Sequence, residues 1–188
     1  MSDTFREDTA GCGERPVIRV ADTAGFCYGV NRAVEMVYRL VDEGRKVATL
    51  GPIIHNTQVV DDLTRRGVTI AHSVEEVPPD AMLVIRSHGV DRATIEALDQ
   101  AGITYTDATC PFVRKIHNIV SSASKAGNVV LIAGDRDHPE VRGIRGHCGP
   151  DCYVFGNLEE LELLLTDEQK FYNREITVVA QTTFHEGL

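Results

Sequence analysis

The chain has 188 residues, 43% hydrophobic and 25% charged, with no tryptophan and no apolar run as long as a membrane span requires. That length suits one ordinary domain or two small lobes sharing an interface, and the composition is that of a soluble globular protein. A formal charge of −9 without a lysine or arginine cluster argues against nucleic-acid binding, whose affinity rests on neutralising phosphates.

The opening, MSDTFREDTAGCGERP, is polar and acidic and lacks both the basic start and the apolar core of a signal peptide. Residues 1–15 therefore read as a flexible tail of a cytoplasmic protein, with Cys12 an incidental thiol. VIRV (17–20) predicts a strand running into the loop Gly25-Phe26-Cys27-Tyr28-Gly29. Ala33, Val34, Met36, Val37, Leu40 and Val41 then recur at helical spacing, and Gly44 stands where a C-cap would fall. A cysteine at the start of such a helix meets unpaired backbone N–H groups and the positive end of the helix dipole, which both favour the thiolate.

VATL (47–50) predicts the next strand and leads to His55 in GPIIHNT, where Asn56 or Thr57 can cap a helix carrying Val59, Val60 and Leu63. VTIA (68–71) and MLVI (82–85) follow as strands, the latter running into Ser87-His88-Gly89. The pattern then restarts. ITY (103–105) leads to Cys110, with Pro111 suited to a first helical turn and Val113, Ile116, Val120 and Ala123 marking a buried face. VVLIA (129–133) leads to His138 in GDRDHPEV, with Glu140 two residues on. YVF (153–155) precedes a helix whose Leu158, Leu161, Leu164 and Leu165 read as a core face, and ITVVA (176–180) runs into Gln181-Thr182-Thr183.

Cys27 to His55 and Cys110 to His138 span the same 28 residues, so one unit is written twice. The expectation is an α/β protein of two pseudo-repeated lobes, residues 16–109 and 110–188, each a parallel sheet flanked by helices. Ligands of such sheets bind beyond the carboxyl ends of the strands, where Cys27, His55, His88, Cys110, His138 and Thr182 should face one cleft.

Five cysteines without an export signal favour metal or redox use over a disulfide framework. Cys148 and Cys152 have a C-x₃-C spacing that suits zinc or iron, but no second pair accompanies them and no metal site is expected there. His72, His117, His147 and His185 lie outside the repeated positions, and Phe112 and Ile116 beside His117 point to packing. Two thiolates without an acidic cage favour a soft-ligand centre, iron–sulfur or zinc, while histidines at helix starts favour a phosphate or diphosphate.

The motifs AGFCYGVNRA, GPIIHNTQVV, VIRSHGV, DATCPFV, HPEV and QTT, in this order between about Val17 and Thr183, closely resemble the 4-hydroxy-3-methylbut-2-enyl diphosphate reductase (IspH/LytB) family. The resemblance implies reductive removal of an allylic hydroxyl to give isopentenyl and dimethylallyl diphosphate, the last step of the non-mevalonate isoprenoid pathway. It also implies a [4Fe–4S] cluster held by three cysteines, of which Cys27 and Cys110 match two, and a ferredoxin or flavodoxin electron donor. By the same resemblance His55, His88 and His138 hold the diphosphate, Glu140 delivers protons, and Thr182 lies near the substrate with Thr183 beside it.

The family builds three lobes, so the resemblance implies two-thirds of a trefoil-like enzyme with its third lobe absent. The 22 residues from His88 to Cys110, counted again from Thr182, end near position 204, past Leu188, where the third cysteine is expected. Cys148 or Cys152 is disfavoured as a substitute, because metal ligands need fixed geometry. The alternatives to an active reductase are an inactive remnant that binds diphosphate or metal, a chain that needs a separate third lobe, and a zinc protein using cysteine and histidine. An apolar face left open by the missing lobe would favour self-association.

Overall fold

Four strands and then three, each set joined by crossover helices, carry the chain in a computed structural model that describes residues 17–22 and 24–184. The elements in order are α1 (Tyr28–Asp42), β1 (Val47–Leu50), α2 (Thr57–Arg65), β2 (Thr69–Ala71), β3 (Met82–Ile85), α3 (Arg92–Gln100) and β4 (Tyr105–Asp107). There follow α4 (Pro111–Lys125), β5 (Val129–Ala133), α5 (Pro139–Arg145), β6 (Cys152–Phe155), α6 (Leu158–Leu165), α7 (Glu168–Phe171) and β7 (Ile176–Ala180). The first sheet has the order β2-β1-β3-β4 and the second β6-β5-β7, with every neighbouring pair parallel. All seven strands thus point their carboxyl ends the same way within their own sheet, and the connecting loops there are free to carry chemistry.

The central strands are buried on both faces, as parallel strands covered by helices must be. All four residues of β1 and all five of β5 are buried. On one side of the first sheet Ala33, Val34 and Val37 of α1 pack with Val47, Ile53 and Val84, and on the other Leu98 of α3 packs with Ala48, Leu83 and Ile85. In the second sheet Val120 of α4 and Val141 and Ile144 of α5 cover Val130, Ile132 and Val154. Each such fully buried aliphatic side chain contributes about 1.5–3 kcal/mol relative to exposure. α1 ends as its sequence dictates, with Gly44 at φ 72° beyond the C-cap Glu43.

The two sheets are tied through backbone approaches that only small residues permit. A Cβ at Gly146, which follows α5, would lie 2.0 Å from the Cβ of Asp91, the N-cap of α3. Beside this contact His147 Nε2 is 3.0 Å from the carbonyl of Val90. Arg32 of α1 reaches across to donate to the carbonyls of Thr109 (3.3 Å) and Asp107 (3.4 Å), just before α4.

Three sequence expectations are corrected. VIRV (17–20) is not a strand: Val17, Ile18 and Val20 are 83%, 86% and 76% exposed, and the segment has no sheet neighbour among the described residues. ITY (103–105) does not open the second sheet, because Tyr105–Asp107 pairs with β3, Leu83 opposite Tyr105, and completes the first. The strand before the Cys110 loop therefore belongs with the preceding sheet, which it joins by a crossover through α3 that local hydrophobicity does not reveal. On α6, Leu161 and Leu164 pack against Leu131 and Phe155, whereas Leu158 and Leu165 are exposed. The tail at residues 1–15 with Cys12, and His185, lie outside the described residues. Among the described residues no helix is long and apolar enough to cross a membrane.

Candidate functional site

Four strand ends on the carboxyl side each deliver one polar residue. His55 follows β1, His88 follows β3, His138 follows β5 and Thr182 follows β7. The three imidazoles converge, with ring centroids 4.7 Å apart for His55 and His88, 5.4 Å for His88 and His138, and 5.7 Å for His55 and His138. One ring nitrogen from each lies within 4.8 Å of the others. The loops that achieve this are pinned from below: Ser87 Oγ donates to the Ile53 carbonyl at 3.3 Å, joining the His55 and His88 loops, and the Cys110 N–H donates to the Ser87 carbonyl at 2.9 Å.

His88 is half-buried, and burial first, then the neighbouring His55, Arg86 and His138, lowers its pKa from 6.5 to about 4. It is a neutral imidazole at physiological pH. Its Nδ1 is buried and has no hydrogen-bond partner among the described residues. His138 is the N-cap of α5, and its Nδ1 accepts the Glu140 N–H at 3.1 Å. With Nδ1 occupied as an acceptor, the neutral ring carries its proton on Nε2 and presents a donor outward. A donor at that position suits an anion's oxygen and not a metal ion, which needs the lone pair.

Glu140 is 2% exposed and is held by one residue of the second sheet's edge. Its Oε1 accepts the Thr182 N–H at 2.7 Å and its Oε2 the Thr182 hydroxyl at 2.7 Å. Thr183 turns elsewhere, its Oγ1 accepting from Gln181 Nε2 at 2.8 Å. Gln181 also accepts the Asp135 N–H at 3.0 Å, so it fixes the β5 and β7 loops to one another. Gln181 and Arg86 were not picked out from sequence as site residues; the signal available for both was their place in the strand-end motifs QTT and VIRSHGV.

Cys27 and Cys110 are the N-caps of α1 and α4, and neither side chain makes a capping hydrogen bond. Cys110 Sγ sits against the first turn of α1, only 2.5 Å from where a Cβ at Gly29 would stand. Both sulfurs are thus free to bind a metal, at two helix starts brought together by Gly29. Cys148 and Cys152 are placed differently: Cys152 begins β6, at the amino end of the strand, the Gly149 N–H between them donates to Ser124 Oγ at the end of α4 away from Cys110, and both pack with Val130, Ile132 and Ile144. They cannot reach the cysteine loops. A cleft of about 680 Å³ also lies away from this chemistry, at the amino-terminal ends of β1 and β3 by Lys46, Asp80 and Met82, and no histidine or cysteine lines it.

The LytB protein family matches residues 18–187. The chain belongs to the LytB family. The 4-hydroxy-3-methylbut-2-enyl diphosphate reductase of Thermoanaerobacter sp. (strain X514) is 41% identical over 173 residues, which cover 90% of this chain and 58% of that relative. The enzyme of the same name from Clostridioides difficile (strain 630) is 36% identical over 172 residues, 91% of this chain and 60% of the relative. Among solved structures, an (E)-4-hydroxy-3-methyl-but-2-enyl diphosphate reductase, described as the terminal enzyme of the non-mevalonate pathway, superposes with a TM-score of 0.74 at 39% identity, covering 90% of this chain and 59% of its own. The Plasmodium falciparum reductase superposes with a TM-score of 0.79 at 26% identity, covering 86% and 50%. The chain thus spans somewhat more than half the length of the LytB proteins it matches, and their α/β fold of parallel sheets flanked by helices is its own.

Proposed function

We propose that this chain supplies the substrate-holding and proton-delivering lobes, residues 16–109 and 110–188, of a 4-hydroxy-3-methylbut-2-enyl diphosphate reductase. The observation that carries the reading is the convergence of His55, His88 and His138 beside the buried Glu140–Thr182 pair. His138 Nε2 donates to a diphosphate oxygen, and the unpaired His88 and the exposed His55 complete a cradle of neutral or cationic donors. The allylic end then lies toward Glu140 and Thr182. A hydroxyl leaves as water only when protonated, and the 2.7 Å contact between Glu140 Oε2 and Thr182 Oγ1 allows a proton to pass from one to the other.

Cys27 and Cys110 fit two of the ligands of a [4Fe–4S] cluster, as soft donors at helix starts with free sulfurs. Once bound, such a cluster supplies the electrons for reductive dehydroxylation, received one at a time from a ferredoxin or flavodoxin. The third thiolate has to come from outside the described residues, since Cys148 and Cys152 lie by the amino end of β6 and the end of α4 away from Cys110. A second reading is that the chain binds diphosphate without turnover or works with a separate third lobe. The zinc reading is weakened by the His138 tautomer.

Anaerobic calorimetry with inorganic pyrophosphate, followed by iron and sulfide reconstitution and turnover with a chemical reductant, tests both readings. Stoichiometric pyrophosphate binding that weakens about tenfold or more in His88→Ala and His138→Ala is expected. Failure to bind pyrophosphate overturns the reading. Turnover of the reconstituted chain selects the first form, and binding with labile iron and no turnover selects the second.

A further inference from the structure

A second cavity, of about 560 Å³, opens between the two sheets beyond the carboxyl ends of the first sheet's strands. Leu50 ends β1, His72 follows β2 and Arg86 follows β3, while Arg142 and Gly143 of α5 line it from the second sheet. None of the cradle histidines, Glu140, Thr182 or the cysteines lines it. The close approach of Gly146 to Asp91 holds the two walls together, so the cavity is built into the packing of the molecule.

Arg86 is the group that the packing around this cavity leaves without a counter-charge. Its guanidinium lies over Gly51, where a Cβ would stand 2.7 Å from Nη1, and both residues line the cavity. Its Nε is buried without a hydrogen-bond partner, and Arg86 forms no ion pair among the described residues. A guanidinium withdrawn from water in this way costs stability until an anion pairs with it. Arg142 brings a second guanidinium to the same space, and its partner Asp137, 3.1 Å away, is largely exposed, so that pair holds it weakly. Two carboxylates also line the cavity. That of Asp91 accepts the Thr94 N–H at 2.7 Å, and neither it nor Glu75 pairs with an arginine among the described residues. Ala93 and Thr94 add the positive end of α3, and Leu50, Val74, Val90 and Ala97 supply an apolar wall.

We propose that this cavity binds a small phosphate monoester, with Arg86 and Arg142 holding the phosphate and the apolar wall meeting a short hydrocarbon group. The planar fork of a guanidinium matches two phosphate oxygens, and two such forks supply the charge that a phosphate dianion needs. The volume is that of a small-molecule site. A ligand held from β3 on one sheet and from α5 on the other ties the two together, so its binding raises the unfolding temperature.

The test is calorimetric titration of the full chain with n-butyl phosphate, alongside thermal unfolding at rising concentrations of it. Saturable binding of one equivalent and a rising midpoint are expected. Arg86→Gln and Arg142→Gln should each weaken binding about tenfold or more, whereas His55→Ala should change it less than about twofold. Inorganic phosphate, lacking the hydrocarbon, should bind about tenfold more weakly. The Arg142 side chain is 67% exposed, so its variant should fold even where Arg86→Gln disturbs the packing. No saturable binding, unchanged binding in Arg142→Gln, or inorganic phosphate binding as tightly as the ester would overturn the proposal. So would a loss in His55→Ala as large as in the arginine variants, which would assign the probe to the histidine cradle. Because the cradle is read by its own variant, failure of the diphosphate reading leaves this result standing.

Discussion

Glu140 is gripped by a single residue on a strand 42 positions away in sequence: the N–H and the hydroxyl of Thr182 both donate to its carboxylate, each at 2.7 Å. The pair joins the start of α5 to the end of β7, so the side chain proposed to deliver protons is also a brace between two loops of the second sheet.

That double role separates two substitutions. Glu140→Gln keeps a carbonyl for the Thr182 N–H and an amide that donates to its hydroxyl, so the fold should be nearly unchanged while proton delivery is lost. Glu140→Ala leaves the Thr182 N–H without its acceptor and opens a void at a site 2% exposed, and should cost about 1–3 kcal/mol in urea unfolding. Equal losses of stability in the two variants would show that the brace does not depend on this hydrogen-bonding pattern.

Acid sensitivity follows from two histidines. Burial first of all holds both His88 and His117 at about 4, against an ordinary 6.5. His117 is stacked on His147 with centroids 4.2 Å apart, and its Nε2 has no hydrogen-bond partner among the described residues. Because the folded values are depressed, the associated stability is complete above 6.5 and is lost as the pH falls toward 4, where the unfolded chain binds protons that the folded chain refuses. Unfolding midpoints measured across that window should decline, and His117→Gln should flatten the decline by on the order of 1–2 kcal/mol. An unchanged pH slope in that variant counts against the assignment.

Gly29 controls the cysteine pair. Its Cβ, if present, would meet Cys110 Sγ at 2.5 Å and displace it from α1. Gly29→Ala should weaken iron retention about 10–100-fold, within the range for residues that orient metal ligands, while leaving pyrophosphate binding intact. Parallel iron assays and pyrophosphate titrations distinguish this local effect from general unfolding.

β7 presents an open edge. β5 covers one side of it, no strand covers the other among the described residues, and Val178 and Ile176 are 60% and 44% exposed. The purified chain should self-associate as concentration rises, and Val178→Lys should shift its light-scattering mass toward the monomer, because a charged edge resists strand pairing. Concentration-independent monomers in the unaltered chain would contradict this.

The sequence was most readable where strong local patterns coincide with burial. β1, β3, β5 and β7 are short β-branched or aliphatic runs between helical periods, and they form where expected. The placement of histidines after strands was legible for the same reason, since parallel topology leaves little choice of end. What could not be read was partnership. VIRV has the composition of a strand but none of the described residues offers it a ladder, while Tyr105–Asp107 joins the sheet behind it. Leu158 and Leu165 fit a helical face, yet only Leu161 and Leu164 meet the sheet. The Glu140–Thr182 contact was equally hidden, because position alone marks Glu140 as an ordinary first-turn acid.

The close approach of Gly29 to Cys110 also bears on descent. With the proposed cluster held by Cys27 and Cys110, a chain that retains both cysteines would still lose it through one methyl group, so the loss would be invisible to any inspection that counts ligands. The glycine in Cys27-Tyr28-Gly29 is therefore a diagnostic letter: when shortened or diverged relatives are sorted into those that keep redox chemistry and those that have drifted from it, that position should be read before the thiols themselves.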